Sequence, residues 1–109
     1  MLAAAPPWPG VRAMDLATLR QAVRESSVML PPPPDAPVAA VEDRTIDGPG
    51  GPLEIYWYDP APGSTGRAAL LHIHGGGMVI GSARSMQHGP AGIAAALGIP
   101  VASVEYRLA

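Results

Sequence analysis

One stretch carries residues whose types and spacing could do chemistry: Leu70-Leu71-His72-Ile73-His74-Gly75-Gly76-Gly77-Met78-Val79-Ile80-Gly81-Ser82. An apolar run ends in a histidine and three glycines. The run is short and stops at a breaker, which predicts a buried strand over 68–73. Glycine lacks a Cβ, so it reaches φ > 0 cheaply and lets backbone N–H groups approach a bound molecule. N–H groups fixed at a strand end can stabilise negative charge that develops on an oxygen. His74 to Gly77 is therefore read as a loop built to hold an oxyanion.

Other chemistries with similar spacing fit less well. His72-x-His74 could place two zinc ligands on one strand face, but only His88 or a carboxylate is left as a third, and no second motif supports it. Gly76 to Ser82 has the outline of a phosphate loop, yet Ser82 stands where that loop needs its lysine. Ile80 stands where a dinucleotide motif needs its third glycine. No metal and no cofactor are expected. His72, on the same strand face as Leu70 and His74, is read as a core or cleft histidine with a satisfied ring.

The elements that must position the loop lie on both sides of it. Ser85 to Leu97 is alanine-rich, with Ile93 and Leu97 at i, i+4, and predicts a helix that holds Pro90 in its first turns and stops at Gly98. Val101 to Tyr106 alternates and predicts a second strand. Strand, helix, strand is a right-handed crossover, so the two strands should be parallel. The strand after the glycine loop is expected to keep one side free. Upstream, Val38 to Asp47 and Leu53 to Tyr58 flank Gly48-Pro49-Gly50-Gly51-Pro52 and predict an antiparallel hairpin with its tip within 47–52. Leu53, Ile55 and Trp57 share one face; Glu54, Tyr56 and Tyr58 share the other. The three aromatics are expected to pack in the sheet, and Tyr106 and Arg107 to anchor a strand end. Near the start, Asp15 to Ser27 reads as a helix with Asp15 as its N-cap. Leu16, Leu19 and Val23 lie on one face, with Arg20, Arg24 and Glu25 reaching water. Pro31 to Pro34 forms a stiff spacer, and Met1 to Gly10 a loose arm.

Composition narrows the function classes. The chain has 109 residues, 48% of them hydrophobic, which suits one small globular unit. Its formal charge is −2 with no basic cluster, against nucleic-acid binding. It has no cysteine, so neither a disulfide framework nor a thiolate nucleophile is available. No run reaches transmembrane length and no signal peptide is recognisable, so a cytoplasmic location without membrane partners is expected.

Together these residues resemble the N-terminal part of an esterase of the hormone-sensitive-lipase family, within the α/β-hydrolases. The resemblance rests on the proline-rich link after a first helix, the hairpin "EDRTIDGPGGPLEIYWYDP", the loop "HIHGGGMVIGS" and the closing "VASVEYRLA". It implies a partial α/β-hydrolase fold: a mixed sheet with an N-terminal hairpin, parallel strands, a crossover helix and an N-terminal cap helix. It divides the chain into an arm, cap helix and link (1–37) and the first part of the hydrolase domain (38–109). It implies that Gly76 and Gly77 supply oxyanion-hole N–H groups, Gly75 permits the turn and His74 supports the loop. The implied partner is a small-molecule ester; oligomeric state is left open. The sequence departs from the family pattern at Met78, usually aromatic, at Glu105, usually aspartate, and at Met86, commonly polar.

In that family the serine sits in G-x-S-x-G, followed by an acid and a histidine. None of Ser26, Ser27, Ser64, Ser82, Ser85 and Ser103 lies in such a context. The expectation is a serine carboxylesterase or lipase for short-chain acyl esters, of which this portion supplies the oxyanion hole and is inactive alone. The alternatives are a non-catalytic small-molecule receptor of the same fold and a truncated remnant.

Overall fold

A computed structural model of the chain describes residues 13–28 and 40–109. The arm at Met1–Gly10 and the proline run Pro31–Pro34 lie outside the described residues. The elements are α1 (Leu16–Val28), β1 (Ala40–Gly48), β2 (Gly51–Asp59), β3 (Leu70–Ile73), α2 (His88–Leu97) and β4 (Val101–Glu105). The four strands form one mixed sheet in the order β1-β2-β4-β3.

The hairpin forms as predicted. Gly48 pairs with Gly51, leaving Pro49-Gly50 as a two-residue turn. After β2, Asp59 closes the Pro/Gly loop by accepting the Ala61 N–H at 2.9 Å and a fork of bonds from Arg67 at 3.1 Å. β3 and β4 run parallel, joined through α2. The helix begins later than Ser85 because the Ser85 N–H bonds to the Ser82 hydroxyl at 3.0 Å, a side-chain turn that competes with helix. At its other end the Gly98 N–H donates to the Ala94 carbonyl.

Two expectations are corrected. The strand before the glycine loop is not buried: β3 lies at an edge of the sheet, where no further strand among the described residues covers Leu71 and Ile73, each 63% exposed. The strand after the glycine loop has no free side. β4 lies between β2 and β3, and its second edge is taken by an antiparallel ladder from Glu54↔Glu105 to Tyr58↔Val101. The described edges of the sheet are β1 and β3.

The two faces of the sheet differ. α2 covers one, packing Ala91 and Ala94 against Tyr56, Tyr58 and Val101. Small alanines bring the helix close, and the flat phenol rings fill the space beneath it. Trp57 points the other way, with the Arg44 guanidinium 4.7 Å above its ring. On that second face Ile46, Leu53, Ile55, Leu71, Ile73 and Val104 border an open apolar groove of about 720 Å³. No helix among the described residues is long and apolar enough to cross a membrane.

Candidate functional site

The glycine loop leaves the end of β3 as a tight turn over residues 76–80. The Gly76 carbonyl accepts the N–H groups of Val79 and Ile80, both at 3.1 Å. Gly76 sits at φ +122°, and a Cβ there would stand 2.0 Å from the Ile80 carbonyl oxygen. No other residue type fits, for reasons of both space and backbone conformation. Gly77 follows at φ +62°, but with open space where its Cβ would be. Met78 also has a positive φ, 63°. For a side chain with a Cβ this conformation costs about 1–2 kcal/mol, so the surroundings must hold it.

They do so through carbonyls. The Met78 carbonyl accepts the Ala109 N–H at 2.9 Å. The Val79 carbonyl accepts Arg20 Nε at 2.8 Å, and Arg20 Nη2 also donates to the Ala109 carbonyl. The turn is thus gripped by the segment after β4 and by α1. Among the described residues, no acceptor takes the N–H of Gly76 or Gly77. Two adjacent donors at the C-terminal end of a parallel strand are thus unpaired among the described residues.

His74 lies beneath this turn, 3% exposed. Its Nδ1 is 2.8 Å from the Gly75 carbonyl, which can only accept, so Nδ1 carries a proton. Tyr106 stacks on the imidazole, with centroids 4.1 Å apart and planes 11° apart. Its hydroxyl donates to the His74 carbonyl at 2.8 Å. Nε2 is buried without a hydrogen bond among the described residues and faces Glu105 Oε1 at 3.7 Å. The ring is thus wedged under the loop by Glu105 and Tyr106 at the end of β4, not exposed for proton transfer.

Comparison with known proteins identifies the fold. A family described as the α/β-hydrolase fold matches residues 70–109. Esterase LipI of Mycobacterium tuberculosis is 37% identical over 91 residues, which is 82% of this chain and 28% of that protein. An ethyl acetate hydrolase of Pseudomonas putida is 33% identical over 101 residues, 91% of this chain and 32% of that one. The solved esterase of Pyrobaculum calidifontis superposes with a TM-score of 0.78 at 39% identity, covering 90% of this chain and 32% of its own. The chain has the α/β-hydrolase fold and is similar to esterases that share it. It spans about a third of the length of the relatives it matches.

Other polar residues near the loop are occupied structurally. Ser82, close after the loop, shares hydrogen bonds with Ser85 at 2.9 and 3.0 Å. Ser103 is fully buried and meets His72 Nδ1 at 3.1 Å. Burial, and then the neighbouring His74, lower the His72 pKa below the ordinary histidine value. Among the described residues no three His, Asp or Glu side chains gather as metal ligands. The structure brings His74, Gly75, Gly76 and Gly77 into one turn. Sequence reasoning missed Glu105 facing His74, and it assigned Arg20 to water. Arg20 instead reaches the loop over 59 residues of sequence. No local signal announces that contact, because Arg20 follows the apolar periodicity of α1 as a surface residue would.

Proposed function

We propose that this chain provides the oxyanion hole of a serine carboxylesterase that cleaves short-chain acyl esters. In this reading a serine attacks the ester carbonyl, and the oxygen that becomes negative rests against the Gly76 and Gly77 N–H groups. The observation that carries the proposal is the pair of unpaired donors beside a glycine that admits no Cβ. Donors aimed in advance at a developing charge need no rearrangement when it appears, and removing one costs about 3 kcal/mol of barrier, roughly a hundredfold in rate. His74 and Gly75 act as supports of the turn. The names of the similar proteins favour a small ester as substrate, one of them being an ethyl acetate hydrolase. No G-x-S-x-G surrounds any of the six serines, so the nucleophile, acid and base are assigned outside these residues. Without an activated nucleophile the 109 residues alone should not turn over ester.

A hybrid tests this. Residues 1–109 replace the matching third of the Pyrobaculum calidifontis esterase, which supplies the rest. The hybrid should hydrolyse p-nitrophenyl acetate, and the 109 residues alone should not exceed a denatured control. A folded but inactive hybrid would overturn the reading. Proline at 76 is a poor probe, because its φ near −65° cannot meet the +122° found there.

A further inference from the structure

We propose that Arg20 is a positioning residue for the oxyanion loop, an inference that rests on reading Gly76 and Gly77 as the donors. Arg20 lies on α1, which Asp15 caps by accepting the Thr18 N–H at 3.0 Å and which buries Leu19. That docking delivers the neighbouring guanidinium to the back of the glycine turn. Nε bonds to the Val79 carbonyl at 2.8 Å, while Nη2 bonds to the Ala109 carbonyl. Ala109 in turn donates its N–H to the Met78 carbonyl. Arg20, the turn and the segment after β4 thus form a closed set of three bonds around the Met78–Val79 peptide.

That peptide is where the turn needs holding. Met78 has its φ at 63°, and the Gly76 carbonyl is engaged by the two N–H groups that follow it. Releasing the Val79 carbonyl lets Met78 relax toward negative φ. The relaxation rotates the Gly77–Met78 segment and moves the Gly77 N–H away from its partner at Gly76. Only a planar fork with two donors along one edge can hold both carbonyls at once; a lysine ammonium is a point donor on a flexible stem. The first helix therefore does more than cover the domain: its docking and the shape of the oxyanion hole are one equilibrium.

The test compares Arg20→Ala, Arg20→Lys and Arg24→Ala in the hybrid esterase. Arg24 lies one turn further along the same helix and serves as the control. Steady-state kinetics are read beside hydrogen exchange of the Val79, Ile80 and Ala109 amides. Arg20→Ala should lower kcat roughly tenfold to a hundredfold, with KM changed less than about threefold. The three amides should exchange about tenfold faster, with the β2–β4 ladder amides unchanged. Arg20→Lys should fall between, and Arg24→Ala should match the parent in both. Parent-like kcat and parent-like exchange in Arg20→Ala would overturn the inference. So would equal acceleration of the sheet amides in Arg20→Ala and Arg20→Lys alike, which would mean that Arg20 holds the fold as a whole. The exchange arm does not depend on turnover. Faster loop exchange in a folded hybrid that hydrolyses nothing would uphold the clamp and reject the esterase reading.

Discussion

Gly76 and Gly77 look alike in sequence but are not alike in space. A Cβ on Gly76 would collide with the Ile80 carbonyl at 2.0 Å, and one on Gly77 would meet nothing within 4 Å. Gly77→Ala should therefore cost only the backbone strain of a positive φ, about 1–2 kcal/mol. Gly76→Ala must also open the turn, and should remove at least about a hundredfold of kcat in the hybrid esterase. Thermal melts and p-nitrophenyl acetate kinetics on the two variants check this contrast. A second residue with a measurable signature is Tyr58. It is 2% exposed, and its hydroxyl has no partner among the described residues. Burial first, then the neighbouring Tyr56 and Asp43, pushes its pKa from 10.0 up to about 12. The folded state then keeps a proton that the unfolded state gives up, so stability falls as pH rises from 10 to 12. The loss should approach about 2–3 kcal/mol at the upper end. Tyr58→Phe should remove most of that alkaline slope without weakening the fold near pH 7, since it deletes an unsatisfied buried hydroxyl. Denaturant melts of the two proteins across this window give the difference directly.

At the scale of elements, the loop belongs to three of them. β3 carries it, α1 grips its back through Arg20, and the end of β4 wedges His74 beneath it. Tyr106 joins β4 to the loop by stacking on the imidazole and donating its hydroxyl to the His74 carbonyl. Tyr106→Phe keeps the stacking and loses that bond. It should cost about 1 kcal/mol of stability and lower kcat several-fold in the hybrid, with KM little changed. Denaturant melts and initial rates separate the two effects. A stability loss with unchanged kcat would place Tyr106 in the fold alone.

At the scale of the whole molecule, the described residues cover the sheet on one face only. Leu71 and Ile73 are each 63% exposed beside the unpaired edge of β3. An apolar face next to a free strand edge invites association. The 109-residue chain alone should elute from size-exclusion as oligomer, and the double variant Leu71→Lys, Ile73→Glu should shift it toward monomer. The same double change should destabilise the hybrid by several kcal/mol, because the remainder of that esterase would have to pack against two charges. A parent chain that elutes as a sharp monomer at all concentrations would contradict this account.

Local chemistry determined most of the elements. Asp15 as N-cap, the glycine–proline hairpin tip, the Gly98 stop and the breaker after Ile73 are each written in a few adjacent residues, and each stands where the residues predict. The glycine loop was legible for the same reason: three glycines after a strand have few other uses. Only the tertiary structure decided what depends on distant partners. It decided that β4 enters between β2 and β3, because the second ladder forms with a segment more than forty residues upstream. It decided that the tyrosine face of β2 is buried, because alanines from α2 leave room for the rings. It decided that Arg20 clamps the loop, because a carbonyl is the same group on every residue and nothing in a sequence marks which one an arginine will find.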